Sequence, residues 1–282
     1  MKILVLGGNG YIAKRCAQIW GDEVILSTDR VQTAEDVKAL LEKHKPDAVL
    51  NGAGVTGTPN VDWCEENQIV TMLGNTVLPI LVAQACQEAG VYLLHLSSGC
   101  IFYGDSPHED GKWRENDSGN PGDVTYSRTK WAADLCLSTL PNVGIARIRM
   151  PIDWVPSDKN LISKLARYPK IIDVENSVTV VDDMVDVFYK LMEKKAPGFF
   201  HVTNPGILKF RELIALYEEL VDPDHTNEWI NNEDLVKQGL AKKGRSNNFL
   251  HSERLAEFGI EMREVHEAMR DTMEKYAKAK KV

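Results

Sequence analysis

Residues 2–13 leave little choice of fold. Lys2-Ile3-Leu4-Val5-Leu6 is a short apolar run with the look of a buried strand. Gly7-Gly8-Asn9-Gly10-Tyr11-Ile12-Ala13 follows at once, and a helical pattern continues to about Trp20. Strand, glycine turn and helix in that order make a dinucleotide cradle: the first glycine permits the tight turn, and the second lets a pyrophosphate approach the backbone. The helix N-terminus then faces the phosphates with free N–H groups. Gly7, Gly10, Tyr11 and Ile12 are therefore candidate cofactor contacts, and Ala13 holds the third position, where only a small residue packs.

Strand-like and helix-like stretches then alternate. Strands are expected over 23–27, 47–51, 91–97, 143–150 and 198–203, and helices over 35–44, 75–90, 123–140, 157–167, 182–194, 209–220 and 264–280. Such alternation argues for an α/β fold: a Rossmann-like doubly wound parallel sheet with a smaller C-terminal substrate-binding region. The expected division is 1–155 with 178–203 for the nucleotide-binding part, and 156–177 with 204–282 for the substrate part. Ligands of these sheets bind beyond the carboxyl ends of the strands. Gly7, Gly52 and Ser98 all fall at such ends, which adds Asn51, Ala53, Gly54 and the strand-stopping Pro151 to the cofactor candidates. The Gly-, Asp- and Pro-rich loop 103–122 is long enough for a substrate-side flap.

A net charge of −8 over 282 residues argues against a nucleic-acid partner. No uninterrupted apolar run reaches about 18 residues, so no membrane span is expected, and the N-terminal strand is too short for a signal peptide. Five cysteines, an odd number with no Cys-x-x-Cys pair, indicate neither a zinc site nor a disulfide frame. A cytoplasmic, metal-free enzyme handling a small anionic ligand fits these facts.

Ser98, Tyr126 and Lys130 supply what carbonyl reduction needs. Tyr126 and Lys130 are four apart and share one helix face. An ammonium beside a phenol favours the phenolate, making Tyr126 a proton donor and acceptor. Lys130 also suits nicotinamide ribose hydroxyls, and Ser98 can hold the carbonyl oxygen. A Tyr-x-x-x-Lys pair alone is common on amphipathic helices; its place after a dinucleotide cradle gives it meaning. Cys100 lies two residues beyond Ser98, where a thiol can serve as a base. Past the second strand, Asp29 would suit a ribose 2′-hydroxyl and Arg30 a 2′-phosphate, so NADP(H) and NAD(H) both stay open.

Together these residues resemble the extended short-chain dehydrogenase/reductase family. The stretch from Gly54-Val55-Thr56-Gly57 to Asp62-Trp63-Cys64-Glu65 is similar to a block of its nucleotide-rhamnose synthase/epimerase-reductases. Gly99-Cys100-Ile101-Phe102, Arg147 to Ile152, Thr203-Asn204-Pro205-Gly206 and Arg245-Ser246-Asn247-Asn248 resemble further blocks. The resemblance implies 3,5-epimerisation and 4-reduction of a UDP- or dTDP-linked 4-keto-6-deoxy-glucose to the L-rhamnose form, related to dTDP-4-dehydrorhamnose reductase. It also implies a separate NDP-glucose 4,6-dehydratase upstream, and homodimers through the helix carrying Tyr126. It pairs Cys100 with Lys164 as base and acid, and offers Thr56, Asn60, Trp63, Asn204 and Arg245 as contacts to sugar or diphosphate. Asn75 either ties the sheet to the catalytic helix or caps its own. Competing expectations are a reductase without epimerase activity, an epimerase or dehydratase with tightly held NAD, and a non-catalytic nucleotide-sensing subunit.

Overall fold

The computed structural model describes residues 1–58 and 60–280. Six parallel strands form the central sheet: β1 (Ile3–Leu6), β2 (Val24–Ser27), β3 (Ala48–Asn51), β4 (Tyr92–Ser98), β5 (Val143–Ile148) and β6 (Gly198–Val202). Their spatial order is β6-β5-β4-β3-β1-β2. The chain turns from one side of β1 to the other between β2 and β3, which opens a crevice above the carboxyl ends. The register lines those ends up: Leu6 pairs with Asn51, Asn51 with His95, and Ser98 with Ile148.

The longer helices are α1 (Tyr11–Trp20), α2 (Ala34–His44), α3 (Gln68–Ala89), α4 (Thr125–Leu137), α5 (Val181–Glu193), α6 (Phe210–Leu220) and α7 (Val265–Lys280). Alternate strand residues point to opposite faces. Ile3 and Val5 pack with α1 and α5, while Leu4 and Leu6 pack with α2 and α3. Both faces are thus covered, as a parallel sheet requires. A separate core joins Ile152, Val178 and Leu208 to α6 and α7, through short strands such as Lys170–Ile172 paired with Glu228–Ile230.

Four expectations need correcting. Helix α3 begins at Gln68, not near 75, because a π-turn over Leu73–Val77 interrupts the periodicity without ending the helix. At 22 residues α3 is also long and apolar enough, by length and composition, to cross a membrane. Its apolarity serves two faces: Val82, Ala83, Ala85 and Cys86 enter the core, while Ile69, Val70, Leu73 and Val77 are exposed. The helix expected over 157–167 is only Leu161–Leu165, started by Asn160, whose side chain accepts from the Ile162 N–H. The 103–122 loop is tied down rather than a free flap. Lys112–Trp113 pairs with Phe249–Leu250, and Trp113 stacks on Phe102 with centroids 4.7 Å apart.

Candidate active site

At the end of β1 the backbone closes on itself. Gly7 has φ +76°, and a Cβ there would lie 2.8 Å from the Ala53 backbone. A Cβ on Gly8 would lie 2.8 Å from the Ser27 carbonyl oxygen, which accepts from the Gly8 N–H at 2.8 Å. Gly10 N–H donates to the Gly7 carbonyl at 2.8 Å. Helix α1 starts there with no side-chain cap and no acid in its first turn, so its N-terminus is left for an anion. The Ala53 N–H is taken by Asn51 Oδ1 at 3.1 Å. Tyr11 offers only backbone to the turn, since its hydroxyl donates to Asp153 Oδ2 at 2.5 Å. Ile12 and Pro151 are half-buried. The Asp29 carboxylate accepts from Ser27 Oγ at 3.1 Å. Arg30 is exposed and makes no ion pair among the described residues.

Ser98 ends β4, and Tyr126 and Lys130 enter from α4; all three are buried. Two side chains fix that helix. Glu65 accepts from the Thr125 N–H at 2.8 Å and its hydroxyl at 3.0 Å, capping the helix start. Asn75, fully buried inside the π-turn, accepts from the Val55 N–H at 2.7 Å and donates to the Val55 carbonyl at 2.9 Å and to Thr129 Oγ1 at 3.3 Å. It ties the strip after β3 to α4, and does not cap. Lys130 Nζ donates to the Leu96 carbonyl at 3.0 Å and lies below Gly54, whose Cβ would be 3.5 Å from it. Burial lowers Lys130 to about 8, with Asp134 resisting. Tyr126 moves the other way from the expectation. Burial and the neighbouring Cys100 push its phenol well up, with the Ser98 hydroxyl pulling it down. The Lys130 ammonium is spent on Leu96, not on the phenol.

Beside Tyr126, Val55, Val61, Trp63, Cys100 and Tyr103 pack against it and Cys64 as one apolar wall. Cys100 is half-buried; its N–H donates to Ser98 Oγ at 3.1 Å, and its Sγ accepts from Arg149 Nη1 at 3.0 Å. Burial raises the Tyr103 phenol to about 12; its hydroxyl lies 3.1 Å from Ser127 Oγ. Arg245 grips Asp62 with two bonds of 2.8 Å. Asn60 Oδ1 accepts from the Asp62 N–H at 2.8 Å, and Thr56 is exposed. Asn204 is fully buried and spends its amide on Val180, Asp183 and Arg263. Lys164 is half-buried, with its ammonium pushed down chiefly by burial and further by Lys159 and Arg167. Its neighbour Lys159 reaches the Gly57 carbonyl at 3.5 Å. Among the described residues no hydrogen bond joins Lys164 to Cys100.

Sequence reasoning passed over Glu65, Tyr103 and Arg149. Arg149 had a signal: two arginines at the end of a strand covered on both faces must each find buried partners. The block 245–248 also gains a reason. Ser246 Oγ donates to the Phe102 carbonyl at 2.7 Å, and Asn248 Nδ2 donates to the Gly99 and Phe102 carbonyls at 3.0 and 2.9 Å, clamping the turn that carries Cys100.

A sequence profile described as the RmlD substrate binding domain matches residues 1–278. The chain is 33% identical over 274 residues to a bifunctional dTDP-4-dehydrorhamnose 3,5-epimerase/dTDP-4-dehydrorhamnose reductase of Arabidopsis thaliana, covering 94% of this chain and 90% of that one. The crystal structure of the L780 UDP-rhamnose synthase from Acanthamoeba polyphaga mimivirus superposes with a TM-score of 0.90 at 28% identity, over 98% of this chain and 99% of that chain. A dTDP-4-dehydrorhamnose reductase from Bacillus anthracis in complex with NADP, 18% identical, shares the fold with a TM-score of 0.81 over 96% of this chain and 98% of that one. With the match spanning nearly every residue, the chain belongs to the RmlD substrate-binding, dTDP-4-dehydrorhamnose reductase-like family of enzymes, on a short-chain dehydrogenase-like fold.

Proposed function

We propose that this enzyme epimerises C3 and C5 of a nucleoside-diphosphate 4-keto-6-deoxy-glucose and then reduces C4, giving the nucleoside-diphosphate L-rhamnose. The cradle at Gly7, Gly8 and Gly10, closed to any Cβ at the first two, fits a dinucleotide pyrophosphate against the start of α1. Arg30, exposed and without an ion pair among the described residues, fits the 2′-phosphate of NADPH. When bound, the nicotinamide supplies the hydride.

The chain's residues supply the proton work. The C3 and C5 protons are acidic because C4 is a ketone. Cys100, as thiolate, removes each; the electron pair moves onto the C4 oxygen, where Ser98 and Tyr126 stabilise the enolate charge. Lys164 returns a proton on the opposite face. In the reduction Tyr126 gives its phenolic proton to the C4 oxygen as carbon gains hydride. The high affinity of the buried phenol for its proton suits a group that must be protonated when the ketone arrives.

The observation that carries the epimerase half is Cys100, half-buried two residues beyond Ser98 in the wall around Tyr126. The test mixes protein, NADPH and a UDP- or dTDP-4-keto-6-deoxy-glucose in deuterated water. Reduced product with deuterium at C3 and C5 supports the proposal. Reduction of pre-epimerised substrate alone, with no exchange, would leave a 4-ketoreductase. In Cys100→Ser, exchange collapses while reduction of the pre-epimerised keto sugar stays within about tenfold, roughly 1.4 kcal/mol of barrier.

A further inference from the structure

Other buried arginines of this fold sit on carboxylates. Arg147 Nε donates to Asp134 Oδ2 at 2.8 Å, both side chains fully buried, and Arg15 Nε donates to Asp153 Oδ2 at 2.6 Å. Arg149 is different. It is 1% exposed, and its guanidinium meets no carboxylate among the described residues. Nη2 donates to Asn176 Oδ1 at 2.5 Å and to the Ser246 carbonyl, Nη1 donates to Cys100 Sγ at 3.0 Å, and Nε has no partner. A guanidinium does not lose its proton in a protein, and a buried cation without an anion is strongly unfavourable. Of the three groups that the guanidinium touches, Cys100 alone can become an anion.

We infer that Arg149 is the fixed counter-ion of the Cys100 thiolate, a positioning residue that prepares the base before substrate arrives. The inference rests on the epimerase reading of Cys100. Arg149 is held from several sides: its N–H donates to Thr179 Oγ1 at 2.9 Å, and a Cβ on Gly99 would lie 3.4 Å from its Cδ. The other ionisable groups near the thiol do not compete for it. Tyr126 from α4 and Tyr103 beyond the turn are neutral phenols, both raised by burial. Arg245, near Tyr103, is neutralised by Asp62. The arrangement also singles out one cysteine of five. Cys16, Cys64 and Cys86 are buried and their thiols are raised by that burial, while Cys136 is exposed on the far end of α4.

Alkylation of the thiol reads this without substrate or cofactor. The thiolate displaces iodide from iodoacetamide, a carbon–sulfur bond replacing the carbon–iodine bond, and mass spectrometry of the Cys100 peptide gives the rate. In a Cys136→Ser background at pH 6.5, Arg149→Met should slow Cys100 alkylation by about tenfold or more, and the deficit should close by pH 9.5, where a free thiol ionises unaided. Arg149→Lys, which keeps a cation, should stay within about threefold of the parent. Asn176→Asp is the second arm. It places a carboxylate where Nη2 already donates, giving the guanidinium another anion while keeping the side-chain shape. The folded protein should then alkylate at least about threefold more slowly at pH 6.5. A merely structural Arg149 would be held as well or better in that variant, with the thiol unchanged.

Parent-like rates at pH 6.5 in the folded Arg149→Met and Asn176→Asp proteins would overturn the inference; if Arg149→Met does not fold, Asn176→Asp decides alone. The two readings fail separately. Substrate exchange in the parent with alkylation indifferent to Arg149 and Asn176 sinks the counter-ion. Alkylation that depends on them in an enzyme without exchange supports the counter-ion and removes the epimerase.

Discussion

Lys130 answers to two opposing demands. In the proposed reaction its ammonium serves the cofactor ribose, yet it is 5% exposed and burial lowers it to about 8. The unfolded chain keeps the ordinary lysine value of about 10.4. Below about pH 8 both states are protonated and the full cost of the buried charge is present. Between about 8 and 10.4 the unfolded state holds more protons, so stability rises with pH across that window. Lys130→Met removes the cost but orphans the Leu96 carbonyl, worth about 1 kcal/mol. The variant should melt a few degrees above the parent at pH 7, and the advantage should disappear by about pH 10.5; thermal scans at both pH values check this. Arg30 faces no such conflict at the surface. Arg30→Ala should weaken NADPH about tenfold and NADH little, since only NADPH has a 2′-phosphate to lose. Calorimetry with each cofactor decides, and equal losses would show that Arg30 does not read the phosphate. The places of Gly7 and Ser98 at strand ends and of Lys130 on a helix were legible because each needs only its neighbours in sequence to fix it. Glu65, capping a helix 60 residues away, was not.

Helix α3 shows how local pattern can mislead about an element's start. Apolar residues lie on all sides of Gln68–Met72, so no stripe marks a face, and Gly74-Asn75-Thr76 reads as a boundary. The chain instead accepts an extra residue in a π-turn, which turns Asn75 inward. That one side chain satisfies both backbone groups of Val55 and holds Thr129. Asn75→Leu would leave two half-buried backbone groups unpaired, at up to about 1–3 kcal/mol each. It should lower unfolding free energy by about 2–4 kcal/mol in urea titrations and raise KM for cofactor as the Gly54 strip loosens. A loss under about 1 kcal/mol would mean that the strip is held by other contacts. The sheet, by contrast, was legible almost strand by strand, since runs such as Leu93-Leu94 in β4 are apolar on both faces.

Above the level of elements, the core around Ile152, Val178, Leu208 and α7 was hard to read, because its strands are two or three residues long and pair across distant sequence. Where this region faces the sheet, three ion pairs bridge the cleft: Lys242 with Glu66, Lys243 with Asp123, and Arg245 with Asp62. The first two are exposed and screened by solvent, so they contribute little. The third is bidentate and more sheltered, and it occupies a guanidinium whose fork also matches a diphosphate. If Arg245 serves substrate, diphosphate and Asp62 compete for it. Asp62→Asn should then tighten UDP or dTDP binding several-fold by freeing the cation, whereas Arg245→Met should weaken it about tenfold. The double variant should match Arg245→Met, because without the guanidinium Asp62 has nothing to withhold. A strap that only holds the two regions together predicts a different pattern: both single variants weaken binding alike, and the double adds nothing. Calorimetric titration of the nucleotide into the four proteins separates the two, and the sign of the Asp62→Asn effect is the deciding quantity.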